Sequence, residues 1–344
     1  MNSARTTQDD VARRAGVHRT TVSLALRDHP RIPAATRRRI RRIADQLGYM
    51  PDPMLSSLVA YRTQKRPVVF HGTLGWLVSS AGNFRWQEVP HFRAAHQGAL
   101  ARARRCGFEL ETFDLSAPGV SARRLEQILR TRNIGGLLLC PQRIPHARLQ
   151  FGWDKFSAVT FGYGVAEPRL HTVSPAHYLA IRRIMSELHG RGYRRIGLAL
   201  DAVQNERTGG HNLAAYLVEE NAVRRPPAVP TCDAPYTDVA ALGRWIRRYR
   251  PDAIVSGAYY VLDMLRELKL DAPADLGVAC PCIPDPDTDL AGVFEDWSHI
   301  GGIAVDVLVA MLNRGERGPP ARPQRLHVEG PWVQGRTLRR RHVT

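Results

Sequence analysis

Between Thr7 and Leu26 the chain carries two helical patterns with only Gly16, Val17 and His18 between them. A gap that short holds neither a strand nor a crossover, so the two segments must be helices that cross each other. Thr7 and Asp10 form T-x-x-D, a helix start of the capping-box type with Asp in place of Glu. Val11, Ala12 and Ala15 then share one face, and Gly16 suits the left-handed residue that ends a helix. Val17 is an apolar plug. A second helix runs from about Arg19 to Leu26 with Val22, Ala25 and Leu26 inward. Two short helices joined this way form a helix-turn-helix, and the small Ala12 and Ala15 let them cross closely. A third helix spans Ala34 to Leu47, with Ile40, Ile43, Ala44 and Leu47 at core spacing. Its other face is Arg37, Arg38, Arg39, Arg41 and Arg42. Such a face alone suits solvent as well as phosphate; beside a helix-turn-helix it points to phosphate.

Charge is distributed accordingly. The chain of 344 residues has a formal net charge of +17. Residues 1–66 hold 14 basic and five acidic side chains, whereas the remaining four-fifths hold 35 and 27. The excess is therefore concentrated at the N-terminus, as a nucleic-acid-binding module requires. No apolar run approaches the roughly 18 residues of a membrane span, and MNSARTTQDD lacks the apolar stretch of a secretion signal. Five scattered cysteines without a CxxC pair argue for a reducing cytosol and against a zinc finger. The expectation is a cytoplasmic protein, nucleoid-associated when on DNA, with no membrane contact.

The string QDDVARRAGVHRTTVSLALRDHPRIPAATRRRIRRIADQLGYMPDP resembles the DNA-binding headpiece of the LacI/GalR family of bacterial transcription regulators. The matched features are D-V-A-x-x-A-G-V, T-V-S three residues on, T-R opening the third helix and L-G-Y-x-P at its end. The resemblance implies double-stranded operator DNA as partner. The family reads base edges with the two residues after the cap of its recognition helix, here Arg19 and Thr20, and commonly with a third, here Leu24. Arginine suits guanine, and threonine can bond a base or touch a thymine methyl. Leu24 offers apolar contact only. Thr7, Thr21, Ser23, Arg27, Arg31 and Thr36 match positions expected to hold phosphates, and Arg38 adds the arginine face. The family usually has Ser where this chain has His18, Arg where it has Leu24 and Ser where it has Pro33.

After Leu47-Gly48-Tyr49 come Pro51 and Pro53, which mark a break. Asp52 is placed to cap a short helix from Pro53 to about Ala60. In the family this segment is a hinge helix that folds on the operator, and Leu58 matches the leucine that wedges into the minor groove. The family commonly has Ala-Arg where this chain has Leu55-Ser56, and a plain linker is the other reading.

From residue 67 onward, apolar runs alternate with helical patterns, in two successive series. That is a doubly wound parallel sheet twice over. G-Y-R-R-I-G-L, R-P-D-A-I-V, A-P-A-D-L-G-V and I-G-G-I-A-V-D-V-L resemble the same family's periplasmic-binding-protein-like sensor, whose two lobes clasp a small molecule. The expected fold is thus an all-α headpiece with a hinge helix, followed by an α/β core of two doubly wound lobes. Its boundaries are expected at 1–50 for the headpiece, 51–66 for the hinge and 67–344 for the effector-binding and dimerisation core. Within the core, an N-lobe of 67–164 plus 295–318 and a C-lobe of 170–292 plus 324–340 are expected, with crossings near 164–170, 292–294 and 319–323.

Open sheets bind ligands at the C-terminal ends of their strands. Position selects Ser79, Trp86, Phe161, Tyr163, Arg207, Tyr259, Asp296 and Trp297 as effector-binding candidates. Arg207 matches an arginine with which the family holds a hydroxyl or carboxylate, and the aromatics suit stacking on a sugar ring. Each tryptophan fits core packing equally well. The family's usual Asp after the interlobe crossover is here in SPAH (174–177), and its D-D is Cys282-Ile283. Two polar ligand contacts are thus expected to be missing. Cys280 and Cys282 share a strand face and suit buried small apolar positions.

Asp285, Asp287 and Asp289 mimic a calcium loop, but Leu290 stands where its glycine belongs. No HExxH, no dinucleotide fingerprint and no nucleophile–base set stands out, so no metal, no cofactor and no enzymatic activity are expected. The chain is expected to be a ligand-responsive homodimeric transcription regulator, a repressor, with a carbohydrate effector. Two rivals stay open. One is a DNA-binding regulator with a decayed or non-sugar pocket. The other is an enzyme or carrier on the same two-lobed fold.

Overall fold

The computed structural model describes residues 7–26, 31–47, 71–79, 85–117, 119–142, 144–223 and 228–339. The chain divides into two compact units. In the first, helix α1 (Gln8–Ala15) opens with a complete capping box. The Thr7 hydroxyl accepts from Asp10 N, and the Asp10 carboxylate accepts from Thr7 N at 2.9 Å. Those bonds hold the Asp10 carboxyl below the usual carboxylate range. Gly16, at φ 62°, ends the helix in the left-handed region that a Cβ disfavours. Helices α2 (Arg19–Leu26) and α3 (Ala34–Gln46) follow. Val11, Ala12, Ala15, Val22, Ala25, Ile40 and Ala44 form their shared core. Val11 and Val22 are fully buried, so the helix crossing is set by valines over alanines. Arg38, Arg39, Arg41 and Arg42 remain exposed on the outer face of α3.

The second unit holds two parallel sheets. Strands β1 (Gly72–Val78), β2 (Phe108–Asp114) and β3 (Gly136–Leu139) alternate with helices α4 (Pro90–Arg105) and α5 (Ala122–Thr131). β4 (Ala147–Arg148) pairs with β6 (Val165–Glu167) as a small outlying ribbon. β5 (Ser157–Phe161), β7 (His171–Pro175) and β12 (Arg325–Val328) complete a six-stranded sheet in the order β12-β7-β5-β3-β1-β2. Leu137, Leu138 and Leu139 are wholly buried, as strands covered by helices on both faces must be.

Helix α6 (His177–Gly190) leads into the second sheet, built from β8 (Ile196–Ala199), β9 (Ala253–Ser256), β10 (Gly277–Ile283), β11 (Ala291–Phe294) and β13 (Trp332–Val333). The order is β13-β11-β10-β9-β8, with β13 antiparallel. Helices α7 (Ala202–Arg207), α8 (His211–Val223), α9 (Val239–Tyr249) and α10 (Val261–Glu267) accompany it. Helix α11 (Trp297–Arg314) returns to the first lobe, where its Gly301 and the Gly98 of α4 bring the two helices into backbone contact. Arg102 of α4 pairs with Asp306 of α11 at 2.6 Å across the same crossing.

The lobes divide differently from the sequence expectation at two places. β7 registers on β5 through Val159 opposite His171, and β12 registers on β7 through Leu326 opposite Val173. Both strands therefore extend the first sheet. The chain crosses at Ala176 and after Val328, beyond the 164–170 and 319–323 segments that loop composition favoured. Hydropathy marks a strand but not the sheet that it joins. The remaining crossing follows Phe294, next to the 292–294 segment.

Candidate functional site

Two surfaces collect the candidate residues. On the headpiece, His18 takes the capping place before α2: its ring Nδ1 accepts from Thr20 N at 3.3 Å and lies 3.0 Å from the Thr20 hydroxyl. An imidazole thus does what serine does elsewhere. Arg19 is exposed beside Asp9, with 3.6 Å between the charged groups. Exposed pairs of that kind are worth little, so Asp9 holds Arg19 only weakly. Leu24, Thr21, Ser23 and Thr36 are half-buried, and Arg31 and Arg38 are exposed. Thr7 serves the α1 cap. Arg39, on the arginine face, donates to the Ala15 carbonyl at 3.1 Å and so locks α3 to the end of α1. Arg27 and Leu58 lie outside the described residues.

The second surface is a cleft of about 230 Å³ where the C-terminal ends of the two sheets meet. Phe161 ends β5 and Tyr163 follows it, Tyr259 follows β9, and Trp297 opens α11. Arg207 is delivered by α7, a helix that starts where the Asp201 carboxylate accepts from Val203 N and Gln204 N. All five line the cleft. The other three candidates do not. Ser79 bonds Ser116 at 2.9 Å. Trp86 is buried against Trp76 and His96, which makes it core packing. The Asp296 carboxylate accepts from His299 N at 2.9 Å and starts α11.

Several wall residues were not selected from sequence. Gln142, Tyr260 and Glu295 follow strand ends and could have been found by the rule that selected Tyr259. His91 and His177 stand in the first turns of α4 and α6, where no local signal marks them. Cys282 faces the cleft and donates to the Gly257 carbonyl at 3.0 Å, while Cys280, 3.6 Å away, is wholly buried. The expectation of two buried cysteines thus holds for Cys280 alone.

The electrostatics follow from burial. Glu295 is only 10% exposed and lies 3.3 Å from His177 Nδ1, itself 8% exposed. The Trp297 indole N–H donates to the same carboxylate at 2.9 Å. Burial, then the charge of Arg207, pushes the His91 imidazole down to about 4, so it is uncharged at neutral pH. The Arg207 guanidinium lies 6.0 Å from the Phe92 ring. Tyr236 Oη is buried without a protein partner, and burial raises its pKa. A Cβ on Gly257 would meet that oxygen at 2.2 Å, so glycine is what admits the tyrosine.

The walls thus combine aromatic faces with a guanidinium, phenols and amides, which suits a small polar ring. Among the described residues no group of three His, Cys, Asp or Glu side chains is arranged to hold a metal ion. None of their helices is long and apolar enough to cross a membrane.

Comparison with known proteins bears on both surfaces. Residues 7–52 match the family described as bacterial regulatory proteins, lacI family, and residues 185–338 match the periplasmic binding protein-like domain. The HTH-type transcriptional regulator PtxS of Pseudomonas plecoglossicida is 26% identical over 219 residues, 63% of this chain and 60% of that protein. The HTH-type transcriptional repressor CytR of Escherichia coli K12 is 26% identical over 192 residues, 56% of this chain and 52% of that one. The matched stretches thus span about half to three-fifths of these relatives. A transcriptional regulator CelR–cellobiose complex superposes with a TM-score of 0.59 at 21% identity, covering 97% of this chain and 100% of that one. The lac repressor dimer bound to operator and the anti-inducer ONPF gives 0.53 at 18% identity, covering 97% and 99%. At these identities the two structures bear on the fold: a helical headpiece followed by a two-lobed α/β core.

Proposed function

This chain belongs to the lacI family of bacterial regulatory proteins, and on that footing we propose that it is a sequence-specific DNA-binding transcription regulator, a repressor, acting as a homodimer in the cytoplasm. The observation that carries the proposal is the headpiece itself: a capped helix-turn-helix that presents Arg19 at the start of α2 and an arginine face on α3. Two-fold symmetry of the dimer would match a pseudo-palindromic operator. Residues 51–66 would form the hinge between the headpiece (1–50) and the core (67–344), with Leu58 as its minor-groove wedge. The names of the relatives, a regulator and a repressor, support this assignment.

The core would sense a small molecule. The cleft lies between two lobes, its walls are aromatic and polar, and a neighbour in fold was solved with cellobiose, which favours a sugar or sugar derivative. One observation favours a second reading, an effector other than a neutral sugar. Cys282 stands where the family places an acid, and Glu295, the one carboxylate of the cleft wall among the described residues, is engaged by His177 and Trp297. An enzymatic role has no comparable support.

Base reading and phosphate contact separate experimentally. Arg19→Ala is expected to cost about 1–3 kcal/mol at the operator and to relax preference at one base pair per half-site. Arg38→Ala is expected to weaken binding to all sequences alike and to flatten the salt dependence by about one counterion. Anisotropy titrations on operator and scrambled duplexes at several salt concentrations distinguish the two. Unchanged sequence preference in Arg19→Ala would remove α2 from the major groove.

A further inference from the structure

Around Tyr163 of the cleft wall lie three basic side chains, His211, His327 and Arg325, that the effector reading does not use. Tyr163 Oη is 2.8 Å from His327 Nε2. The Arg325 guanidinium sits 4.8 Å from the Tyr163 ring. The His211 ring packs edge-on against the same tyrosine at 4.8 Å and lies 6.0 Å from the His327 ring. Tyr163, His327 and Arg325 belong to the lobe of the first sheet, on β12 and the turn after β5. His211 opens α8 of the other lobe.

We propose that Tyr163, His211, His327 and Arg325 form an oxyanion subsite bridging the two lobes, occupied most strongly when the two imidazoles are protonated. The ligand chemistry is a sulfate-, phosphate- or carboxylate-like group.

Charge balance carries the proposal. His211 faces His177 from α6, His327 and Arg325 from β12, Tyr163 from the β5 turn and the Thr208 carbonyl after α7. His327 faces His177, Arg325 and Tyr163. The neighbouring acid, Glu295, lies against His177. Among the described residues no carboxylate lies at ion-pair distance from His211, His327 or Arg325. When protonated, the His211 and His327 rings are like charges with centroids 6.0 Å apart in a half-buried setting; they repel, and an anion between them offsets that repulsion. Arginine offers a planar fork and each imidazolium an N–H, the donor set that oxyanions take. Because His211 and His327 come from different lobes, an anion held by both would tie the lobes together.

The sign of the pH dependence follows. Burial, together with the neighbouring positive groups, holds both imidazoles below their ordinary value, so near neutrality they are mostly uncharged. An anion favours the protonated forms. Affinity therefore rises as pH falls through their range and is lost as pH rises.

Sulfate is the probe, because its charge is constant over the range, with sodium chloride at equal ionic strength as reference. Calorimetric titration of the full chain at about pH 5.5 and about pH 8 should show sulfate binding roughly tenfold or more tighter at the lower pH. The double variant His211→Gln/His327→Gln should lose that dependence while sulfate still meets the headpiece arginines. His327→Asn alone, should the double variant fold poorly, should lose part of it. Equal sulfate affinity at both pH values, or a folded double variant that keeps the wild-type pH dependence, would overturn the subsite. The effector cleft is tested separately on operator DNA, so either assignment can fail without the other.

Discussion

Arg207→Ala is expected to abolish the response to effector while operator affinity without effector stays within about twofold. A two-lobed sensor transmits a signal only if the ligand prefers one lobe arrangement to another, and coupling of about 1–3 kcal/mol is ordinary. Arg207 is placed to supply that preference. It ends α7 in one lobe and lies against Phe92 of the other. Its planar fork can grip paired hydroxyls or a carboxylate, which lysine cannot match in geometry. Losing it also removes the positive charge that helps to keep His91 uncharged, so the His91 value should rise. The measurement is a titration of the variant on operator DNA with and without an effector found by thermal-shift screening of sugars and sugar acids. A variant that responds as fully as the wild type removes Arg207 from the signalling contact.

Gly98→Val should have the largest effect on stability. A Cβ at position 98 would lie 1.8 Å from the Ser298 carbonyl oxygen, and its nearest neighbours are all backbone atoms of α11. No side-chain rotation relieves such a clash, so α4 and α11 must separate. A Cβ on Gly301 would likewise lie 2.0 Å from the Ala95 carbonyl oxygen, so the crossing leaves no room for a side chain on either helix. Overpacking of this kind costs about 3 kcal/mol or more, which lowers the melting temperature of a domain this size by roughly 6–12 °C. Leu129→Val, a smaller change at a fully buried position of α5, should cost about 1 kcal/mol and serves as reference. A melt of Gly98→Val within a degree or two of the wild type would show that the helices do not meet there.

The headpiece was legible from sequence almost residue by residue, because its signals are local. A threonine cap, a glycine at positive φ and alanines at the crossing act within a few residues. His18 as a cap was less obvious, since imidazole is an uncommon acceptor there, and nothing local marked Arg39 as a strut to Ala15. In the core, strand and helix alternation was plain, but the membership of β7 and β12 was not, because sheet assignment depends on partners far apart in sequence. The cleft was half legible. Aromatics just past strand ends could be chosen by rule, whereas His91 and His177 reach it through helix placement alone. Trp86 shows the converse: a tryptophan in a polar stretch that folds inward onto Trp76 and His96.

Selection of bound fragments from genomic DNA by the full chain, followed by sequencing, tests the central claim most directly. The expected result is a small set of fragments sharing one pseudo-palindromic site, with two half-sites whose guanine preference weakens in Arg19→Ala. Fragments enriched without a shared sequence, and to the same degree by wild type and Arg19→Ala, would contradict it.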